Sequence, residues 1–177
     1  MAAQLPPIVV NLLEPLRRLM AVMEIELKTR TQEVEAAAPE ELPVGLGRLT
    51  SEILEREVAD WNRFKNRRQV ASYTGLCPGV TGSAGHFTNL SISKHGNRRL
   101  RSVLVELAWL MVRYQPDYPP VQRWREVMAS KNRPARKKAI VAVARRLAVD
   151  LWRLETGRAT AGELGLRVMQ PPAKQAA

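Results

Sequence analysis

Apolar residues recur at three- and four-residue steps along most of this chain, the spacing of helices that bury one face. Over 8–38, Leu16, Leu19, Met20, Met23 and Leu27 form a stripe opposite Arg17, Arg18, Glu24, Glu26 and Lys28. That pattern predicts one amphipathic helix, begun or kinked at Pro15. Its stripe needs a partner, either its own domain or another helix in a hairpin or coiled coil. Two prolines and two glycines in 39–47 predict a tight turn. Further helices are predicted from about Leu49 to Asp60, Arg67 to Tyr73, Arg98 to Tyr114, Val121 to Ala129 and Arg136 to Leu154. Leu100, Val103, Leu104, Leu107 and Met111 face inward in one of the two strongest, and Ile140, Val143, Leu147 and Leu151 in the other. Pro116, Pro119 and Pro120 stop the former, and Gly157 ends the latter.

The stretch from Gly75 to Asn97 breaks the helical rhythm. Gly75, Gly79, Gly82, Gly85 and Pro78 stand there among small polar residues, which predicts a long irregular loop of the functional kind. The expected fold class is therefore all-α. Residues 1–40 form a coiled-coil-like amphipathic helix, 41–160 a helical domain with a helix-hairpin-helix and a Gly-rich loop, and 161–177 a disordered tail.

Charge changes this picture from scaffold to binding protein. Residues 1–60 carry 6 Lys/Arg against 11 Asp/Glu, while 61–177 carry 22 against 6, so the excess of +11 lies wholly in the later part. A domain this basic attracts polyanions through its summed field and through counterion release from phosphates. The alternative is a highly soluble basic surface or a ribosome-associated protein. The single cysteine, Cys77, excludes an intrachain disulfide, and with only His86 and His95 a Cys- or His-rich metal site is excluded. No metal site or cofactor is expected in this chain. Met1–Met23 is broken by prolines and charges and does not read as a signal peptide. No run reaches the ~18 apolar residues of a membrane span. A cytoplasmic protein with no membrane partner is expected.

Four stretches carry candidate chemistry. Gly45-Leu46-Gly47, followed by Arg48, fits a helix-hairpin-helix turn, where glycines admit a phosphate to the N–H groups opening the next helix. The alternative is a turn that touches nothing. Ser83 stands between Gly82 and Ala84-Gly85, small neighbours that would let a phosphate approach its hydroxyl. His86 is near enough in sequence to act as a base, or is simply a solvated loop residue. Lys94, Asn97, Arg98, Arg99 and Arg101 surround the entry to a strong helix, with Asn97 as N-cap. Cations there oppose the helix dipole, at about 0.3–1 kcal/mol each when exposed, a conflict that a bound phosphate would relieve. Arg136, Lys137 and Lys138, with Arg145 and Arg146 further along the same helix, would line a backbone-tracking groove. Trp109, Trp124 and Trp152 lie at or near apolar stripes and read as core or interface before base-stacking residues.

Taken together these residues resemble a known family. The turn precedes Asp60-Trp61-x-Arg63-Phe64, then Gln69-x-Ala71-x-Tyr73-x-Gly75-Leu76-x-Pro78 and the Ser83 stretch. Ile92-Ser93-Lys94-x-Gly96-Asn97-x-x-Leu100-Arg101 and Lys138-x-x-x-x-Val143-Ala144-Arg145 follow. From about Pro43 to Gly157 this is similar to the C-terminal transposase domain of the IS one-ten insertion-sequence family, the bridge-RNA-guided serine recombinases. The resemblance implies that Ser83 is the nucleophile attacking a DNA phosphate, with DNA and a guide RNA as partners. Ala84 departs from the family's pair of glycines after that serine. Family members also carry an N-terminal RuvC-like domain whose four acids bind magnesium. No stretch of this sequence matches it, so Mg2+ is expected only with a partner acidic domain. The chain then reads as part of a homo-oligomer or of a complex with such a domain, or as a truncated, split or repurposed transposase. A remnant that only binds DNA or RNA, and a helical self-association module, are the alternatives.

Overall fold

The structure, a computed structural model of the chain, describes residues 7–83 and 86–169, with no side-chain description for Val80 and residues 83–90. Among them are seven α-helices, one short 3-10 turn and one β-hairpin. The chain divides into two compact units, Met1–Ala38 and Pro39–Ala177.

The first unit contains α1 (Pro7–Ala36), which runs unbroken through Pro15. Pro15 therefore does not begin the helix, and it removes one donor from the ladder. Arg18–Glu14, Arg30–Glu26 and Arg30–Glu33 pairs lace its polar side at 3.3, 2.8 and 2.9 Å. Leu16, Leu19, Met20, Met23 and Leu27 are all more than half exposed.

The second unit is built around two helices, α4 (Arg98–Tyr114) and α6 (Arg133–Glu155). They pack on each other, α2 (Arg48–Val58) lies on α4, and α5 (Pro119–Ala129) and α3 (Arg67–Thr74) lie on α6. Leu104, Leu107 and Met111 of α4 meet a core that includes Ile140, Val143 and Leu147 of α6, each no more than 1% exposed. Burial of that depth is worth about 1.5–3 kcal/mol for each large apolar side chain. Leu147 to Trp152 are buried without a break. The 147–152 stretch of α6 is thus covered on every side, as the middle of a central helix must be. Before it the helix keeps a solvent face, where Lys137, Lys138, Arg145 and Arg146 stand.

Two expectations give way. The stretch after Gly75 is not an irregular loop but an antiparallel hairpin, β1 (Pro78–Ser83) and β2 (His86–Ile92). Val80 and Thr81 face Asn89 and Thr88, and the register shifts between Pro78 and Val80, around Gly79. The β-branched and aromatic residues Val80, Thr81, Phe87, Thr88 and Ile92 favour strands, while Gly79 sits at the register shift, where strands tolerate glycine. Residues 161–169 are not a disordered tail either. Here α7 (Ala161–Leu164) opens with a Thr160–Glu163 capping box, and Leu164 and Leu166 are 5% and 4% exposed. Val168 then pairs with Pro43. The apolar Leu164-x-Leu166 pair, too short to show a period, supplies the anchor. Residues 170–177 lie outside the described part.

A candidate nucleic-acid interface

Lys137, Lys138, Val141, Ala142, Arg145, Arg146 and Val149 lie at four-residue steps in adjacent rows, so they share one face of α6. That face puts cations at both ends of an apolar patch, Lys137 and Arg145 being about 12 Å apart along the axis. Across from it stands the first turn of α3, with Arg67 and Arg68. Asn66 caps that turn, accepting from the N–H groups of Arg68 and Gln69 at 3.0 and 3.2 Å. The base of the hairpin, Pro78, Ser91 and Ile92, closes the third wall, over Leu76. The result is a groove of about 880 Å³ with cations on its rims and no acid among its lining residues. Arg67, Arg68, Lys137, Lys138 and Arg145 are exposed, and none has an ion-pair partner among the described residues.

Arg146 is different. Its Nε donates to Asp150 Oδ2 at 2.9 Å. Asp150 is 1% exposed and also accepts from the Tyr118 hydroxyl at 2.8 Å. Burial, reinforced by the Asp150 charge, pushes that hydroxyl well above the usual phenol range. Asp150 Oδ1 has no hydrogen-bond partner among the described residues, and Arg153 Nη1 lies 3.8 Å away. The anchored Arg146 borders the large groove, a second of about 510 Å³ with Lys65, Arg67, Arg153 and Arg158, and a third of about 330 Å³ with Arg123 and Trp124.

The sequence-predicted candidates separate into distinct settings. Lys137, Lys138 and Arg145 line the large groove, whereas Arg136 is exposed but not among its lining residues. The cluster at the start of α4 is largely spent within the fold. Asn97 caps α4 by accepting from Leu100 N–H at 3.0 Å, and its Nδ2 donates to Glu57 Oε2 at 2.7 Å. Arg99 pairs with Glu57 at 3.3 Å. Arg101 Nη1 donates to the carbonyls of Thr74 and Lys94 at 3.3 and 3.2 Å. Intrachain acceptors thus relieve the dipole conflict that the sequence raises at Arg99 and Arg101. Lys94, at φ 57, and Arg98 are exposed. Beside this cluster Tyr73 donates to Glu57 O at 2.8 Å. Its hydroxyl is held below the usual phenol range, first by the Asn97 side chain and also by Arg63, while burial works the other way.

The Gly45–Gly47 turn is pinned by the buried side chain of Gln115. Its Nε2 donates to Val44 O at 2.6 Å and its Oε1 accepts from Arg167 N–H at 2.9 Å. Gly45 sits at φ 92, a conformation that favours glycine, and a Cβ there would press on the flexible end of Met111 at 3.1 Å from its Cε. Gly47 has ordinary φ and open space around it, and as N-cap of α2 it supplies no side-chain acceptor. Arg48 is exposed at the first position of α2. The Ser83 backbone pairs with His86 at the end of β1 remote from Pro78, five residues and therefore about 17 Å from the groove wall. The Ser83 side chain, and Ala84 and Gly85, lie outside the described part. Of the tryptophans, Trp152 is buried, Trp124 half-buried and Trp109 exposed.

The sequence reading left out Arg67, Arg68 and Lys65. Their signal was the basic run Lys65-Asn66-Arg67-Arg68 at a helix start, followed by the apolar Val70-Ala71.

Residues 41–120 match the transposase family of IS116, IS110 and IS902. The matched segment runs from the Gly45 turn through the hairpin and α4. The chain is 44% identical over 94 residues to the transposase-like protein y4rJ of Sinorhizobium fredii, an alignment covering 51% of this chain and 23% of that one. It is 28% identical over 161 residues to the transposase for insertion sequence element IS1328 of Yersinia enterocolitica, covering 86% of this chain and 48% of the relative. With the IS1111A transposase of Coxiella burnetii it shares 29% over 117 residues, 66% of this chain and 32% of the relative. The chain therefore spans about half or less of the curated transposases it matches. No solved structure is significantly similar to it. Over residues 41–120 the chain is thus similar to transposases of this family. No helix among the described residues is long and apolar enough to cross a membrane.

Proposed function

We infer that the second unit is the DNA-handling part of a transposase, holding a sugar–phosphate backbone in the groove between α3, the hairpin base and α6. The groove's five exposed cations without ion-pair partners among the described residues carry this reading. Phosphates are the polyanion that a transposase must hold, and their neutralisation releases counterions whatever the base sequence. Arg48 and the open N–H groups at the start of α2 offer a smaller contact of the same kind, which is the helix-hairpin-helix reading of the Gly45–Gly47 turn. Lys94 and Arg98 extend it beside α4.

Ser83 is the nucleophile in this reading. Its Oγ loses its proton and forms a bond to a DNA phosphorus, the bond from that phosphorus to one sugar oxygen breaks, and the leaving oxygen takes the electron pair and, in the net reaction, the proton that Oγ gave up. The hairpin carries Ser83 on β1, which starts at the groove wall. Among the described residues no three His, Cys, Asp or Glu side chains cluster to hold a metal. In this reading Mg2+ belongs with an acidic partner domain. A guide RNA and further copies of the chain complete the expected partners.

The test is fluorescence anisotropy on labelled duplex DNA. Replacing Lys137, Lys138 and Arg145 together by alanine should weaken binding roughly tenfold or more at moderate salt. The same change at Arg113, Arg123 and Arg125, outside the large groove, should cost less. Equal losses would remove the groove from the account. For Ser83, the chain is mixed with a RuvC-like acidic domain, guide RNA and DNA, and an adduct is sought on a denaturing gel. The account expects one that Ser83→Ala abolishes, and an adduct formed equally by both would exclude Ser83.

A further inference from the structure

The large groove is not built like a surface for duplex backbone alone. Its rims are cationic, but its floor is apolar: Leu76 and Ile92 below the hairpin, Pro78 at its edge, and Val141 and Ala142 on α6. A duplex presents phosphates and base edges outward and keeps base faces stacked inside, so an apolar floor offers it nothing. An unpaired strand is different. Its bases expose flat apolar faces, which gain from leaving water, while its phosphates still need cations. The geometry alternates in the order such a strand requires. Lys137 and Lys138 stand at one end of the patch and Arg145 and Arg146 at the other, with Val141 and Ala142 between them, and Arg67 and Arg68 stand opposite. About 880 Å³ lies within the ~300–1,000 Å³ typical of sites that enclose small molecules. That is room for about one or two nucleotides, not for a double helix.

Resting on the reading that this groove meets nucleic acid, we propose that it holds an unpaired stretch of the strand, bases against the Pro78–Val141–Ala142 floor and phosphates on the cations at either end. The groove is thereby a strand-separating feature: it favours the opened form of its substrate over the paired one. The unpaired strand has two sources, DNA and RNA, which share base faces and phosphates and differ in the 2′-hydroxyl.

The experiment uses the whole chain and compares three labelled probes of equal length, about 12 units each, near the site sizes of single-strand grooves. They are an oligothymidylate, an oligouridylate and a blunt DNA duplex. Ala142→Gln and Pro78→Gln place polar bulk on the floor from opposite walls at positions that are not cations, Pro78 being exposed and Ala142 half-buried. Circular dichroism and the thermal midpoint check that each variant is folded. The proposal expects each to weaken oligothymidylate or oligouridylate binding about fivefold or more, and the duplex by less than about twofold, as loss of base contacts but not phosphate contacts requires. The single-stranded probe that loses more identifies the source. If floor variants weaken all three probes alike, or none, while removal of the cations still weakens the duplex, the unpaired-strand proposal is overturned and the groove remains a phosphate site. If no probe binds in a salt-dependent way, the functional reading beneath it falls as well.

Discussion

Asp150 fixes Arg146. The carboxylate is buried on α6, and its Oδ2 accepts from Arg146 Nε at 2.9 Å one helical turn back. The Tyr118 hydroxyl donates to the same oxygen at 2.8 Å. A buried acid thus sets where a surface cation stands, and that cation borders three grooves of the second unit. Tyr118→Phe should destabilise the fold by about 1.5–3 kcal/mol, the range for a hydrogen bond to a charged group. Asp150→Ala should cost about as much or more, because it leaves the Tyr118 hydroxyl buried without its acceptor. Urea denaturation of both variants measures this. Changes within about 0.5 kcal/mol would mean the network is not formed.

The same pair makes the fold sensitive to alkali. Burial and the Asp150 charge raise the Tyr118 hydroxyl, so the folded chain keeps a proton that the unfolded chain loses near pH 10. The unfolded state then binds fewer protons, and stability falls as pH rises. Urea midpoints between about pH 9 and about pH 11 should drop in the wild type and drop less steeply in Tyr118→Phe. Parallel slopes would assign the alkaline loss to other groups.

Gly96 is the tightest backbone position near the predicted phosphate cluster. It sits at φ 139, and a Cβ would lie 2.4 Å from Tyr73 O and 2.9 Å from Gly75 N. Gly96→Ala should therefore destabilise by about 2–4 kcal/mol, combining strain with a backbone clash. Thermal unfolding reads it, and an unchanged midpoint would contradict the close approach of this turn to the end of α3.

These positions also show how far the sequence was legible. Helices α2 to α6 follow from periodicity because burial of one face imposes it, and α4 begins and ends where its Asn97 cap and Pro116 predict. The hairpin was hidden because its strands are short and two of its glycines, read as loop signals, lie within β1 instead, Gly79 at the register shift and Gly82 paired with Phe87. Lys137, Lys138 and Arg145 could be named from sequence since α6 puts them on one face. Arg67 and Arg68 could not be joined to them, because only tertiary packing of α3 on α6 brings the two walls together. Asn97 and Arg101 look like phosphate ligands in sequence. Their acceptors Glu57, Thr74 and Lys94 come near them only in the fold.

The exposed stripe of α1 predicts self-association of the whole chain. Leu19 and Met23, one turn apart, are 56% and 61% exposed, an apolar face that a second helix would cover. Light scattering should report an oligomer for the wild type and a monomer for the double variant Leu19→Glu, Met23→Glu. A wild-type monomer at high concentration would end this idea.

The central claim is that cations of the α3–α6 groove neutralise backbone phosphates. Its most direct measurement is duplex affinity as a function of salt, plotted on logarithmic axes. The slope reports the number of phosphates engaged, near −0.9 for each on duplex DNA. The wild type should give a steep negative slope, and Lys137→Ala with Lys138→Ala should make it shallower by about 1–2. An identical slope in the double variant, or a wild-type affinity indifferent to salt, would contradict the account.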